Sequence, residues 1–295
     1  MTPNRANAGE KEGLGRAGLI ARVEELAAIP AGADLPPDAE AVVDGVLELL
    51  ESGSARAAEM DASGRWRAVP WVKRGILLAF RAGKVIDMSP PGGPLRFFDK
   101  HTLPLRPLDA SARVRVVPGG SSIRRGAYLA PGVVCMPPMF VNAGAWVGAG
   151  TMIDSHALVG SCAQVGERVH LSAAAQVGGV LEPVNAAPVV IEEDVVVGGN
   201  CGVYEGTVLR RRAVLAAGTV LTRGTPVFDL VREVVLRATA DSALEIPEGA
   251  VVVPGARAVA GEWGRSQGLS LQTPVIVKYR DDRTDLSTSL EAWLR

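Results

Sequence analysis

The sequence predicts a mainly β chain organised around a left-handed parallel β-helix, with an N-terminal helical domain and a C-terminal extension. Three observations predict it. An aliphatic residue recurs every six positions from Ile123 to Val227, broken by a single insertion. Hydrophobic residues make up 47% of the chain but aromatic ones only 4%. Gly (34) and Pro (20) are plentiful, which suits stacked small and β-branched side chains over a core centred on rings.

Cut into sixes from Ile123, the chain reads IRRGAY, LAPGVV, CMPPMF, VNAGAW, VGAGTM, IDSHAL, VGSCAQ, VGERVH, LSAAAQ, VGGVLE. After a loop within 183–190 the count resumes as IEEDVV, VGGNCG, VYEGTV, LRRRAV, LAAGTV, LTRGTP. The first position of each hexad is aliphatic or Cys135, and the fifth is mostly small, as at Ala127, Ala145, Ala157, Ala163 and Ala175. Fixed self-similarity is the signature of a solenoid. A period of six means short flat strands that turn at each corner, so three hexads close a coil and successive coils pair as parallel strands about 4.8 Å apart. The first position points inward, and the fifth fits where the prism is narrow. The known fold of this period winds left-handed, against the usual right-handed crossover.

The remaining elements follow in order. Residues 1–14 are polar and Gly-rich and read as a flexible tail. Residues 15–112 read as an N-terminal α or α+β domain. Leu19, Ile20, Val23 and Leu26 fall at helical spacing, residues 38–51 carry a wide apolar face, and a third helix runs from Trp71 to Ala82 and stops at Gly83, a common cap position. Segment 85–112 is Pro-rich and irregular. The β-helix spans 113–255, with an insertion near 178–190 and a hairpin excursion near 228–247. Residues 256–295 supply a C-terminal strand (TPVIVKYR) and a short helix (LSTSLEAWLR).

Composition also excludes. Lys+Arg (31) against Asp+Glu (32) leaves a net charge of -1, with no electrostatic footprint for nucleic acid. No apolar run approaches the roughly 20 residues that span a bilayer. The N-terminal residues lack the apolar segment of a secretory signal, and three cysteines without CxxC spacing fit reduced thiols, so a cytoplasmic protein is expected. A zinc site of three imidazoles is not expected, because His156 and His170 are the only histidines in the coils. Cys135 fills an inward slot and behaves as a small hydrophobe, and Cys162 and Cys201 have no evident partner base.

Candidate chemistry lies off the inward positions. Asp154 follows inward Ile153 and is free to face outward, although a corner-capping aspartate is the competing reading. Glu205 in VYEGTV, and Glu192, Glu193 and Asp194, invite the same pair of readings. Arg124–Arg125 and Arg210–Arg212 lie at corners, as a solvated basic rim or as contacts to coenzyme phosphates.

The segment RVVPGGSSIRRGAYLAPGVVCMPPMFVNAGAWVGAGTMIDSHALVGSCAQVGERVHLSAAAQVGGVLEP closely resembles the tetrahydrodipicolinate N-succinyltransferase family. The resemblance continues through NCGVYEGTVLRRRAVLAAGTVLTRGTP and the VIVK strand, and backwards through WVKRGILLAFRAGKV and RFFDKHTLPL, covering roughly residues 40–295. It implies a homotrimer with active sites between subunits. It implies transfer of succinyl from succinyl-CoA to the amino group of ring-opened tetrahydrodipicolinate, in lysine and diaminopimelate biosynthesis, with no tightly bound cofactor. Matching the family's substrate site are Arg115, suited to a dicarboxylate, and Asp154, as base or amine-orienting group. One departure stands out: where well-known members carry a second active-site Glu, this chain has Gly202, so either the second carboxylate is dispensable or another group, with Glu205 the catalytic candidate, substitutes. Gly178 and Gly179 can let a pantetheine arm approach the backbone, and Lys278 can meet a CoA phosphate. Two other functions remain open from the residues alone: a hexapeptide acyltransferase using acetyl-CoA or another amine acceptor, and a non-catalytic β-helix scaffold. A nucleotidyltransferase is disfavoured, because residues 1–110 carry no Gly-rich phosphate loop.

Overall fold

The computed structural model describes residues 15–240 and 242–281. The expected N-terminal tail and the LSTSLEAWLR helix lie outside these residues.

The hexad ladder folds into a three-faced parallel β-helix. From Ser122–Ile123 to Val220–Leu221 each strand is two residues long and ends on the first hexad position, and the strands fall in turn on three sheets. The first face carries 122–123, 140–141, 158–159, 176–177, 202–203 and 220–221. The second carries 128–129, 146–147, 164–165, 190–191, 208–209 and 245–246. The third carries 115–116, 134–135, 152–153, 170–171, 196–197, 214–215 and 251–252. Every first-position residue from Ile123 to Val227 is buried, and together with the fifth positions they form one continuous apolar column. Cys135 and Cys201 sit in that column as small apolar residues.

Turn chemistry makes the corners. At the fourth position of nearly every hexad the backbone is left-handed, filled by Gly126, Gly144 or Gly150 in some coils and by Cys162, Arg168, Ala174, Asp194 or Asn200 in others. An N–H from position five returns to the carbonyl of position two, as from Ala145 to Asn142 at 3.2 Å. A positive φ at the third residue of such a turn is the type II pattern. A non-glycine residue there costs about 1–2 kcal/mol, which the coil-to-coil ladder must offset.

Two excursions interrupt the ladder. Gln164 pairs with Val190, and Gln176 with Gly202, so an insertion lies between Val177 and Ile191. Beyond Leu221, strands Val227–Asp229 and Val234–Leu236 pair antiparallel before the chain rejoins the second face at Glu245–Ile246. Strand Ala250–Ala258 then runs past the last coil and pairs antiparallel with Ser270–Tyr279.

Three helices, α1 (Arg16–Ala27), α2 (Ala39–Glu51) and α3 (Pro70–Ala82), pack into a second core. That core includes Ala143 and Cys162, so the helices sit on the corner between the first and second faces. Gly83 does end α3, but not by a left-handed cap: its φ is -68°. Glycine is needed there because a Cβ would lie 2.3 Å from the Thr102 hydroxyl, which donates to Ala79 O at 2.6 Å. Segment 85–112, read as irregular, contains an antiparallel hairpin, Val85–Asp87 with Phe98–Lys100.

Candidate active site

A groove of 1530 Å³ runs along the corner that follows the first face. Its floor is the stacked corners at Gly178–Gly179, Tyr204–Gly206 and Thr222–Gly224. One wall is residues 65–68 and the insertion at 180–187; the other is 238–240 and 242–243 of the second excursion. The floor is tight because glycine meets backbone. A Cβ on Gly160 would fall 2.2 Å from Gly179 N, and one on Gly206 would fall 2.7 Å from Ala187 O.

The wall is latched to the helical domain. Lys73 of α3 is fully buried, and its ammonium donates to Ala186 O of the insertion at 2.5 Å. Burial pushes the Lys73 pKa down, with the Cys162 thiol acting weakly the other way.

The structure brings Gly178, Gly179 and Glu205 together in this groove. Glu205 is exposed, and its carboxylate accepts the Arg223 N–H at 2.8 Å, tying one corner to the next. Asp154 lies elsewhere, at the corner that precedes the first face. It is half-buried; its Oδ1 caps the Ser155 N–H at 2.7 Å, and Oδ2 has no partner among the described residues. Arg115 is exposed on the third face, in register with Val134, which is in register with Met152. Two coil levels therefore separate it from the strand that leads into Asp154, about 10 Å at ~4.8 Å per level. Lys278 lies on Ser270–Tyr279, outside the groove lining, and pairs with Asp281 at 3.2 Å.

Four of the corner arginines sit against carboxylates, Arg211 while still exposed to solvent. Arg124 pairs with Asp99, Arg125 with Asp44, Arg210 with Glu192 and Glu245, and Arg211 with Glu193. The cations that line the groove are Arg65, Arg67 and Arg223, which sequence reasoning missed; Arg67 is also paired, with Asp61 at 2.9 Å. Two come from a hairpin distant in sequence, and no local pattern marked them. Burial pushes the Cys135 and Cys162 thiols up to about 12, so neither is a thiolate nucleophile. Among the described residues no three of His, Cys, Asp and Glu converge as a metal set, and no helix is long and apolar enough to cross a membrane.

Fold and groove define a hexapeptide-repeat protein of the acyl-transfer type: residues 188–223 match the family described as hexapeptide repeat of succinyl-transferase. Residues 23–82 match the family described as tetrahydrodipicolinate N-succinyltransferase N-terminal. The chain is 42% identical to the 2,3,4,5-tetrahydropyridine-2,6-dicarboxylate N-succinyltransferase of Nitrobacter winogradskyi, over 86% of this chain and 89% of that one. It is 42% identical to the enzyme of the same name from Bradyrhizobium diazoefficiens, with the same coverage. To that of Polynucleobacter asymbioticus it is 38% identical, over 88% and 91%. The chain belongs to the 2,3,4,5-tetrahydropyridine-2,6-dicarboxylate N-succinyltransferase family.

Proposed function

We propose that the chain transfers a succinyl group from succinyl-CoA to the amino group of ring-opened tetrahydrodipicolinate, the family's step toward diaminopimelate and lysine. The carrying observation is the identity of about two residues in five with enzymes of that name, over nearly the whole chain. The neutral amine attacks the thioester carbonyl, forming the C–N bond as the carbonyl π pair moves to oxygen. When that pair returns, the C–S bond breaks, the thiolate leaves, and the nitrogen gives up its proton.

Asp154, with one carboxylate oxygen uncommitted, accepts that proton or orients the amine. A positioned base is worth roughly 10²–10⁴-fold. Arg115 holds a carboxylate of the acceptor, since guanidinium and carboxylate bind bidentately. The Gly178–Gly179 floor takes the pantetheine arm, while Arg65, Arg67 and Arg223 at its rim suit the coenzyme phosphates. Glu205 acts through the corner it ties to Arg223, and Lys278 serves the coenzyme only if it leaves Asp281. CoA is a cosubstrate, and no cofactor is held tightly. The β-helix winds left-handed, the enzyme is cytoplasmic, and it works as a homotrimer in which one subunit's Asp154 faces a neighbour's groove.

Thiol release tests the reading. Succinyl-CoA with the amino-dicarboxylate acceptor is expected to release CoA far faster than acetyl-CoA; preference for acetyl-CoA overturns the succinyl assignment. Asp154→Asn is expected to lower kcat by about 10²–10⁴-fold with the oligomer intact, and near-normal kcat removes Asp154 from the chemistry.

A further inference from the structure

Position 202 is an outward-facing strand position of the first face, in register with Gln176 one coil before and Val220 one coil after. Those two coils place a side chain there. In this coil the residue is glycine, yet the slot is filled: a Cβ on Gly202 would fall 2.4 Å from Cε2 of Tyr204 and 3.0 Å from its hydroxyl oxygen. The same ring reaches Gly178, where a Cβ would fall 2.6 Å from Tyr204 Cδ1. Tyr204 thus lies across two bare backbone segments, and both must be glycine for it to do so.

The corner after Val203 sets up this placement. In the other hexads that have a left-handed corner residue it is the fourth alone, as at Ala174 (φ 59°) or Asp194 (φ 60°). Here the third is left-handed as well, Glu205 at 53° followed by Gly206 at 73°, and the Thr207 N–H closes the turn on Tyr204 O at 3.2 Å. Positive φ at both central residues is the type I′ pattern rather than type II. A non-glycine residue in that conformation is strained, and such strain clusters where a side chain must be aimed. What the turn aims is a phenol: Tyr204 lines the groove between Gly178 and Glu205, and its hydroxyl has no hydrogen-bond partner among the described residues.

We propose that the Tyr204 hydroxyl is a substrate-contacting catalytic group of the groove. It donates a hydrogen bond to the thioester carbonyl oxygen and holds the oxyanion that forms there as the amine adds. The proposal rests on the transfer reaction set out above and adds to it the group that stabilises the developing charge. A phenol O–H is a hydrogen-bond donor, so it complements a carboxylate that takes the amine proton. It also accounts for Gly202, because a carboxylate side chain there would displace the ring.

Two substitutions test this in the full-length protein. Tyr204→Phe keeps the ring over Gly178 and Gly202 and removes only the hydroxyl. It is expected to lower kcat by about 10²-fold, the lower end for loss of one oxyanion donor, with KM for succinyl-CoA and the thermal midpoint little changed. Gly202→Ala keeps the hydroxyl but pushes the ring aside, so it is expected to lower kcat comparably in the wild type and hardly at all in the Tyr204→Phe background. Wild-type kcat in Tyr204→Phe overturns the proposal, as does an equal Gly202→Ala loss in both backgrounds, which marks a packing role alone. A wild-type protein that releases no thiol from succinyl-CoA overturns the reaction and this proposal together. An active wild type with an unaffected Tyr204→Phe removes Tyr204 only.

Discussion

Replacing Lys73 by Met separates what holds the groove wall from what holds the fold. The Lys73 ammonium is fully buried on α3 and has one hydrogen bond, to Ala186 O at 2.5 Å, with no carboxylate in ion-pair reach among the described residues. Losing that charge-assisted bond costs about 1.5–3 kcal/mol. Removing a desolvated, unpaired ammonium returns several kcal/mol, and Met fills nearly the same volume near Cys162. The two contributions nearly cancel or favour Met. The urea midpoint of Lys73→Met is therefore expected to match or exceed that of the wild type. The Ala186 amide, bonded to Pro183 O at 2.9 Å, is expected to exchange faster, and KM for the thioester to rise as the wall loosens. The pH dependence follows from the direction of the shift. Burial holds the Lys73 pKa below its ordinary value of 10.5, so the unfolded chain binds more protons between the folded value and 10.5. Stability then rises with pH across that window, and the variant lacks this rise. An unfolding free energy from the urea titration lower by more than about 3 kcal/mol, the top of the range for such a bond, with unchanged Ala186 exchange, refutes the reasoning.

Ile153→Ala opens a cavity at a fully buried first position and is expected to cost about 2–5 kcal/mol in chemical denaturation; Val220→Ala, on an exposed outward position, is expected to cost far less. Asp229 and Tyr279 clamp the C-terminal strand to the second excursion through a 2.6 Å hydrogen bond. Burial opposes the Asp229 charge, but the Tyr279 hydroxyl and the Arg232 and Val231 N–H groups outweigh it and hold the carboxyl below its ordinary range. Burial, then Asp229, pushes Tyr279 up to about 12. The wild type is expected to lose stability as pH falls through the depressed Asp229 value, and again as pH rises from 10 to about 12, where only the unfolded tyrosine ionises. Tyr279→Phe is expected to abolish the alkaline limb in thermal melts against pH and to shrink the acid one.

The inward column was legible because it depends on one local variable, the parity of burial along a repeat: Ile123, Ile153, Leu171 and Leu221 are buried for the reason their spacing implies. The corners were legible only in part. Positions one and five announce themselves by size, whereas the left-handed fourth position is shared by Gly144, Cys162, Ala174 and Asn200, residues with nothing in common but that backbone. Gly83 does cap α3, its N–H closing on Ala79 O, but in extended rather than left-handed backbone, and it is its small size beside Thr102 that requires glycine. The groove was the least legible part. Its walls come from residues 65–68, 180–187, 238–240 and 242–243, brought together by α3, by the Lys73 latch and by a hairpin, and no periodicity in any one segment encodes that meeting. Gly202 illustrates the limit: the sequence marked it as a missing carboxylate, and only the three-dimensional arrangement identifies Tyr204 as what fills its place.

The separation of Asp154 from the groove constrains how the proposed chemistry can be arranged. Asp154 follows a third-face strand and Gly178, Tyr204 and Glu205 follow first-face strands, so a whole face of the prism stands between the two corners of one chain. Along the axis, strand 158–159 just after Asp154 is two coil levels from 202–203 just before Glu205, about 10 Å at ~4.8 Å per level. A close-packed aliphatic column cannot bend to close that distance, because interiors of this density do not deform continuously. If Asp154 and the groove act on one substrate, they belong to different copies of the chain. On the proposed reading, Asp154 and the groove are each held rigidly in one chain, so a second copy is what would bring the proposed proton acceptor and the proposed thioester site to the same amine.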